Sequence, residues 1–179
     1  NGKSSLYFDP YCYEVSLSEE EISKLNSGLH YRSYEVLGAH FTDMDGQEGV
    51  VFRVWAPNAV RVSVVGDFNN WNGKVNPMIR HDDTGIFQLF IPGLAEGLNY
   101  KYEICMHGGL THLKADPYAV CSQKSPETAS VLCRESSFAW NDDEWLMTRA
   151  SFDTKSSPLS IYELNLHAFK EETGANKSL

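Results

Sequence analysis

Val50-Val51-Phe52-Arg53-Val54-Trp55-Ala56-Pro57-Asn58-Ala59-Val60-Arg61-Val62-Ser63-Val64 decides how this chain is read. Val50, Phe52, Val54 and Ala56 alternate with Val51, Arg53 and Trp55; after Pro57-Asn58, Val60, Val62 and Val64 alternate with Arg61 and Ser63. A period of two sends successive side chains to opposite faces, so each half predicts a short strand, with a turn at the Pro-Asn pair. Downstream, Phe87-Gln88-Leu89-Phe90-Ile91 follows the turn residues Asp82-Asp83-Thr84-Gly85 and stops at Pro92-Gly93. Tyr100, Tyr102, Ile104 and Met106 then alternate with Lys101 and Glu103 before His107-Gly108-Gly109 turns the chain again, and Ala129-Ser130-Val131-Leu132-Cys133 predicts a closing strand. Upstream, Asp43-Met44-Asp45-Gly46 has the look of a calcium loop. Its glycine stands fourth instead of sixth and no glutamate closes the twelfth position, so a hairpin turn is expected. Short strands at this spacing, with almost no helical signal between them, predict a mainly β protein, a β-sandwich over residues 37–133.

The flanks differ. In residues 1–36, Ser18 and Glu21 make a capping box with Glu19 and Glu20 in the first turn, Ile22, Leu25 and Leu29 recur at helical spacing, and Gly28 is a natural stop. A short helix over Glu19 to Ser27 is predicted. Beyond Cys133, Asn141 and Glu144 form a second candidate capping box opening a helical turn that carries Trp145, and residues 134–157 read as a linker. Residues 158–179 contain Leu159-Ser160-Ile161-Tyr162-Glu163-Leu164-Asn165-Leu166, apolar on both faces in its first half. A strand covered on both sides belongs to a parallel sheet flanked by helices, and such a sheet does not fit in the thirteen residues that follow.

Composition narrows the function classes. The chain has 179 residues, 42% of them apolar, enough for a core, and 24 acidic against 15 basic residues for a formal charge of −9. With the basic residues spread singly, no patch exists to hold nucleic acid or an anionic membrane. The longest apolar run, Tyr118 to Cys121, is four residues against the roughly 20 of a membrane span or 7–15 of a signal-peptide core. A cytoplasmic protein is expected, with Cys12, Cys105, Cys121 and Cys133 as free thiols because no CxxC or regular framework relates them. The triplet Asn176-Lys177-Ser178 would be a glycosylation site only in a secreted protein. A (β/α) barrel enzyme, needing about 250 residues, does not fit in this length.

No nucleophile elbow, phosphate loop or HExxH motif is present. His107, His112 and Asp116 are close in sequence, but their spacing across a turn sets no metal geometry, and neither metal nor cofactor is expected. The informative stretch is Gly66-Asp67-Phe68-Asn69-Asn70-Trp71-Asn72-Gly73. An indole face packs on the apolar C–H face of a pyranose while the amides of Asn69 and Asn70 exchange hydrogen bonds with hydroxyls. Lys101, on the polar face of its strand, can reach the same groove. The competing reading makes Trp71 a structural anchor under its loop.

Several motifs then occur in a familiar order: Tyr34-Glu35-Val36-Leu37-Gly38-Ala39-His40, Val54-Trp55-Ala56-Pro57-Asn58-Ala59, Val62 to Trp71, Tyr100-Lys101-Tyr102, Lys114-Ala115-Asp116-Pro117-Tyr118-Ala119 and Ser160-Ile161-Tyr162-Glu163. From about residue 28 to 169 the chain resembles the amino-terminal part of a glycogen (1,4-α-glucan) branching enzyme. The resemblance implies a family 48 carbohydrate-binding module over residues 37–133. It would be an immunoglobulin-like, early-set β-sandwich preceded by a short helix and followed by the first strand of a truncated family 13 glycoside hydrolase (β/α)8 barrel. The carboxylates of that retaining chemistry would lie beyond Leu179, leaving this chain inactive alone, with α-glucan and the remainder of the polypeptide as its partners.

Site residues transfer only in part. Related modules carry a tryptophan at the position of Trp71 and a lysine at that of Lys101. A second tryptophan stands where this chain has Leu110, and an asparagine where it has Ser130. Losing one of two stacking platforms implies weak glucan binding. Asn165-Leu166-His167-Ala168-Phe169 also departs from the family's usual His-Leu-Gly-Ser-Trp while keeping its hydrophobic pattern. Two other readings stay open: a scaffold subunit resembling the glycogen-binding subunit of energy-sensing kinases, which would have no use for residues 158–169, and a sandwich that is purely structural.

Overall fold

The computed structural model describes residues 8–81, 84–134 and 139–165. The chain divides into two compact units, Asn1–Ser136 and Ser137–Leu179. In the first, β1 (Gly38–Met44), β2 (Gln47–Trp55), β5 (Ile86–Pro92) and β4 (Ile79–His81) form one antiparallel sheet in the order β1-β2-β5-β4. The second sheet holds β3 (Ala59–Gly66), β6 (Asn99–Met106), β9 (Ser130–Val131) and β8 (Cys121–Ser122) in the order β3-β6-β9-β8, and β7 (Thr111–Lys114) pairs with the later half of β6.

Alternation places the core. On β2 and β5 the facing pairs Val50 and Ile91, Phe52 and Leu89, and Val54 and Phe87 meet Val62, Val64, Tyr100 and Tyr102 of the opposite sheet in one buried cluster. Burying these side chains, at roughly 1.5–3 kcal/mol each, is the main force closing the sandwich. The other face of β5 is buried too, because the segment before α1 lies across it. Tyr13 packs edge-on against Phe90 at 4.8 Å, Gln88 Nε2 donates to the Val15 carbonyl at 2.7 Å, and an Arg53 guanidinium N–H donates to that of Ser16 at 3.1 Å.

The helix α1 (Glu19–Asn26) forms as expected. Ser18 Oγ accepts from Glu21 N–H while the Glu21 carboxylate accepts from Ser18 N–H, and Ile22 and Leu25 pack on Leu17, Val36, Leu37 and Ile86. The hairpin at Asp45-Gly46 also forms: both residues have positive φ, 54° and 79°, and Met44 pairs with Gln47 across the two-residue loop.

Two expectations need correction. Cys121 and Cys133 form a disulfide, leaving Cys12 and Cys105 as the free thiols among the four. They are 12 residues apart in sequence, but β8 and β9 lie side by side, with Cys121 opposite Val131. The helix α2 (Asp143–Ser151), in the second unit, takes Asp142 and not Asn141 as its N-cap, without a side-chain cap bond. Starting one residue later puts Trp145 at the third helical position, where it cannot return the carboxylate bond that a capping box requires. Residues 159–165 make no strand pairing and Ile161 is 88% exposed; the rest of the expected strand, from Leu166, lies outside the described residues.

Candidate functional site

The loop after β3 is built by close backbone approach. A Cβ on Gly66 would collide with the Asn99 carbonyl on β6, and one on Gly73 with the Glu103 carboxylate. Asp67–Asn69 form a single 3-10 turn that sends Asn69 inward, where its Oδ1 accepts from Gly66 N–H at 3.0 Å. The Asn69 amide donates to the Val64 carbonyl at 2.9 Å and to Asn76 Oδ1 at 2.8 Å. With both donors used and 8% exposure, Asn69 is withdrawn from the expected binding set and instead holds the loop's shape.

The next two residues turn outward. Asn70 and Trp71 both occupy the left-handed region, with φ of 53° and 58°, at a cost of about 1 kcal/mol or more each. Two bonds hold Trp71 there: its backbone N–H donates to the Gly66 carbonyl at 3.0 Å and its indole N–H to Asp67 Oδ1 at 3.2 Å. Asp67 Oδ2 in turn accepts from the backbone N–H and the side-chain amide of Asn99, both at 2.9 Å. The indole ring is thereby tied to β6 through one carboxylate, and it remains 38% exposed.

Lys101 joins it. Gly66 pairs with Tyr100 and Val65 with Lys101, which brings the Lys101 stem to the same end of the β3–β6 ladder as Trp71. The Lys101 ammonium donates to Thr128 Oγ1 at 2.8 Å. Two residues on, Glu103 pairs with Arg61 at 2.8 Å, and the Arg61 guanidinium also donates to the Gly73 carbonyl at 2.8 Å and to Ser63 Oγ at 2.6 Å. This partly exposed ion pair contributes little stability itself, about 0–1 kcal/mol, but it fastens the loop to the sheet.

Leu110 and Ser130 do not join the cluster. Leu110 stands at the far end of β6, where Met106 N–H donates to its carbonyl at 2.8 Å, five residues and so ~17 Å along the strand from Lys101. It is an exposed aliphatic and offers no ring. Ser130 pairs with Tyr100 on the inner face, is 1% exposed, and its Oγ accepts from Asp116 N–H at 2.8 Å. Parity along β9 points it into the core, so it is withdrawn as a glycan contact. Reading the residues alone missed Asp67, Asn99 and Thr128. Asn99 shares the parity of Lys101 and could have been found that way; nothing local marks Thr128.

The inner face of the same strand is chemically distinct. Asp116, 6% exposed, accepts on Oδ2 from the phenols of Tyr100 at 2.7 Å and Tyr102 at 3.1 Å, and on Oδ1 from Tyr118 N–H at 2.8 Å. Burial pushes its carboxyl above the usual carboxylate range, opposed by those three bonds, and burial together with the adjacent carboxylate pushes both phenols far upward. This is a structural buckle. His107 and His112 stay exposed while Asp116 is buried, and no group of potential metal ligands gathers among the described residues. Among those residues, no helix is long and apolar enough to cross a membrane.

Residues 36–119 match the model for carbohydrate-binding module 48 (isoamylase N-terminal domain). Over 172 residues the chain is 42% identical to a 1,4-alpha-glucan branching enzyme of Methylococcus capsulatus, covering 96% of this chain and 23% of that relative. It is 45% identical over 166 residues to one of Pseudomonas aeruginosa, covering 93% and 23%. The chain thus spans about a quarter of the length of the curated relatives it matches. A solved pullulanase of Klebsiella pneumoniae is similar at 28% identity and a TM-score of 0.44, covering 54% of this chain and 9% of that one.

Proposed function

We propose that this chain, whose residues 36–119 match the model for carbohydrate-binding module 48, is the non-catalytic module of a 1,4-α-glucan branching enzyme and that it holds α-glucan at Trp71 and Lys101. The observation that carries the site is Trp71 itself: two consecutive left-handed residues and the Asp67 bridge keep its ring presented toward solvent. A preorganised ring costs little ordering entropy when a sugar stacks on it. Lys101 spends one of its three donors on Thr128, leaving two for hydroxyls, and Asn70 adds an exposed amide. A neutral glucan is not repelled by the −9 charge. With Leu110 in place of a second ring, affinity falls in the millimolar class.

Similarity to branching enzymes over 96% of the chain, well past the module, favours this reading over a kinase-type scaffold subunit. The remainder of such an enzyme would cleave an α-1,4-linked chain and re-attach the segment by an α-1,6 bond. A cytoplasmic setting fits the reading.

Titration with maltoheptaose followed by tryptophan fluorescence tests the proposal. Saturable binding that Trp71→Ala weakens tenfold or more supports it; an unchanged response in that variant, or none in the parent chain, overturns it.

A further inference from the structure

The β8–β9 side of the second sheet is held by few backbone bonds. β9 pairs with β6 only at Asn99 and Tyr100, and with β8 only at Cys121 and Ser122. Between β8 and β9 the chain is exposed from Lys124 to Thr128; Gln123 N–H donates to the Ala129 carbonyl at 2.9 Å and Glu127 N–H to that of Lys124 at 3.1 Å. The Cys121–Cys133 disulfide closes this segment into a ring at its base. Thr128, whose hydroxyl accepts from the Lys101 ammonium, sits on that ring. Both cysteines are half-buried, and Cys133 lines an open cleft of about 430 Å3 with His40, Phe41, Val120 and Arg134. The Arg134 guanidinium lies over the Phe41 ring at 4.4 Å, while Glu35 on the same wall is paired with Arg32.

We infer that Cys121–Cys133 is a thiol–disulfide exchange site, opened by a dithiol reductant of the thioredoxin class, and that its state sets how firmly Lys101 is held for glucan. The second half rests on the proposed Lys101 site; the first does not. In a cytoplasmic setting a disulfide is characteristically transient and redox-sensing. Neither sulfur belongs to the buried cluster between the sheets, so opening the bond leaves the core packing in place. The cleft gives a thiolate access to Cys133 Sγ, and Arg134 puts a cation on its approach. Attack there breaks the S–S bond, and Cys121 leaves as a thiolate that takes up a proton. The second thiol of the reductant, losing its own proton, attacks the mixed disulfide and releases Cys133, which is protonated in turn. The protein gains two electrons and two protons, the reductant leaves as its disulfide, and glutathione disulfide drives the reverse. With the ring open, Thr128 is tied down by the few backbone bonds alone and no longer fixes the Lys101 ammonium. Ordering that ammonium on a sugar then costs more.

The test uses the full chain carrying Cys12→Ser and Cys105→Ala, so that the remaining thiols are those of the pair. Reduced thioredoxin should open the bond without denaturant, and alkylation should then label both Cys121 and Cys133. Amide hydrogen exchange at Gln123 and Glu127 should quicken about tenfold or more, while Phe52 and Leu89, facing each other across β2 and β5, keep their protection. Maltoheptaose affinity should fall about threefold and recover on reoxidation with glutathione disulfide. Thr128→Val removes the hydroxyl, so its two redox states should bind alike. A bond that resists thioredoxin in the folded chain, or a reduction that strips Phe52 and Leu89 of protection as well, marks a structural staple and overturns the proposal. Opening that leaves Gln123 and Glu127 exchanging as before also overturns it. A redox effect on affinity that persists in Thr128→Val rejects the route through Lys101. Exchange that responds while neither state binds maltoheptaose rejects the Trp71 and Lys101 reading and leaves the redox site standing.

Discussion

Two faces of one strand, β6, do opposite work. Tyr100 and Tyr102 point inward and spend their polar groups on Asp116; Lys101 and Glu103 point outward and hold the Trp71 loop and Thr128. The inner face joins sheet to loop in a dry environment, where each hydroxyl must be paired. On the outer face water satisfies whatever the protein does not. Breaking a contact inside should therefore cost stability, whereas breaking one outside should cost binding.

The largest effect is expected from Asp116→Ala. Two buried phenols lose their shared acceptor and Tyr118 N–H loses its own, so urea denaturation should show a loss of about 3–5 kcal/mol. Glucan affinity of the folded fraction should stay within about twofold of the parent. A comparable loss of affinity in the folded fraction would show the two faces to be coupled. Trp71→Ala should reverse the pattern: glucan binding weakens by about 1–3 kcal/mol, if base-on-aromatic stacking is a fair guide, while stability changes by less than about 1 kcal/mol. Lys101→Met, which keeps the stem and removes the charge, should weaken binding by about fivefold with no measurable change in the urea midpoint.

The smallest effect is a pH slope. Burial raises the Asp116 carboxyl pKa in the folded chain, so just above the usual carboxylate range the folded state binds more protons than the unfolded one. This group's contribution is full below its unfolded value and is lost as pH rises through the folded one. Stability measured at stepwise rising pH should thus fall more steeply in the parent than in Asp116→Asn. An equal slope in the two would show that the three hydrogen bonds offset the burial.

Alternation made much of this molecule legible in advance. The period-two runs around Phe52, Val62, Leu89 and Tyr102 are strands in the predicted places, and Asp45-Gly46 is the predicted hairpin. Ser18 and Glu21 cap the predicted helix, because a cap is a contact between residues three apart. That Trp71 and Lys101 stand at one end of the β3–β6 ladder, where the glucan site is proposed, follows from residue type and strand parity. Asn69 and Asn70 could not be separated beforehand: they are identical neighbours, and one 3-10 turn sends the first inside and the second out.

Local order, then, was written in the residues themselves, since caps, hairpins and alternating strands are decided by neighbours a few positions apart. Tertiary structure alone settled what depends on distant segments meeting. The Cys121–Cys133 pair needs β8 beside β9, the carboxylate of Asp116 needs two phenols from β6, and the double burial of β5 needs the arm that carries Tyr13.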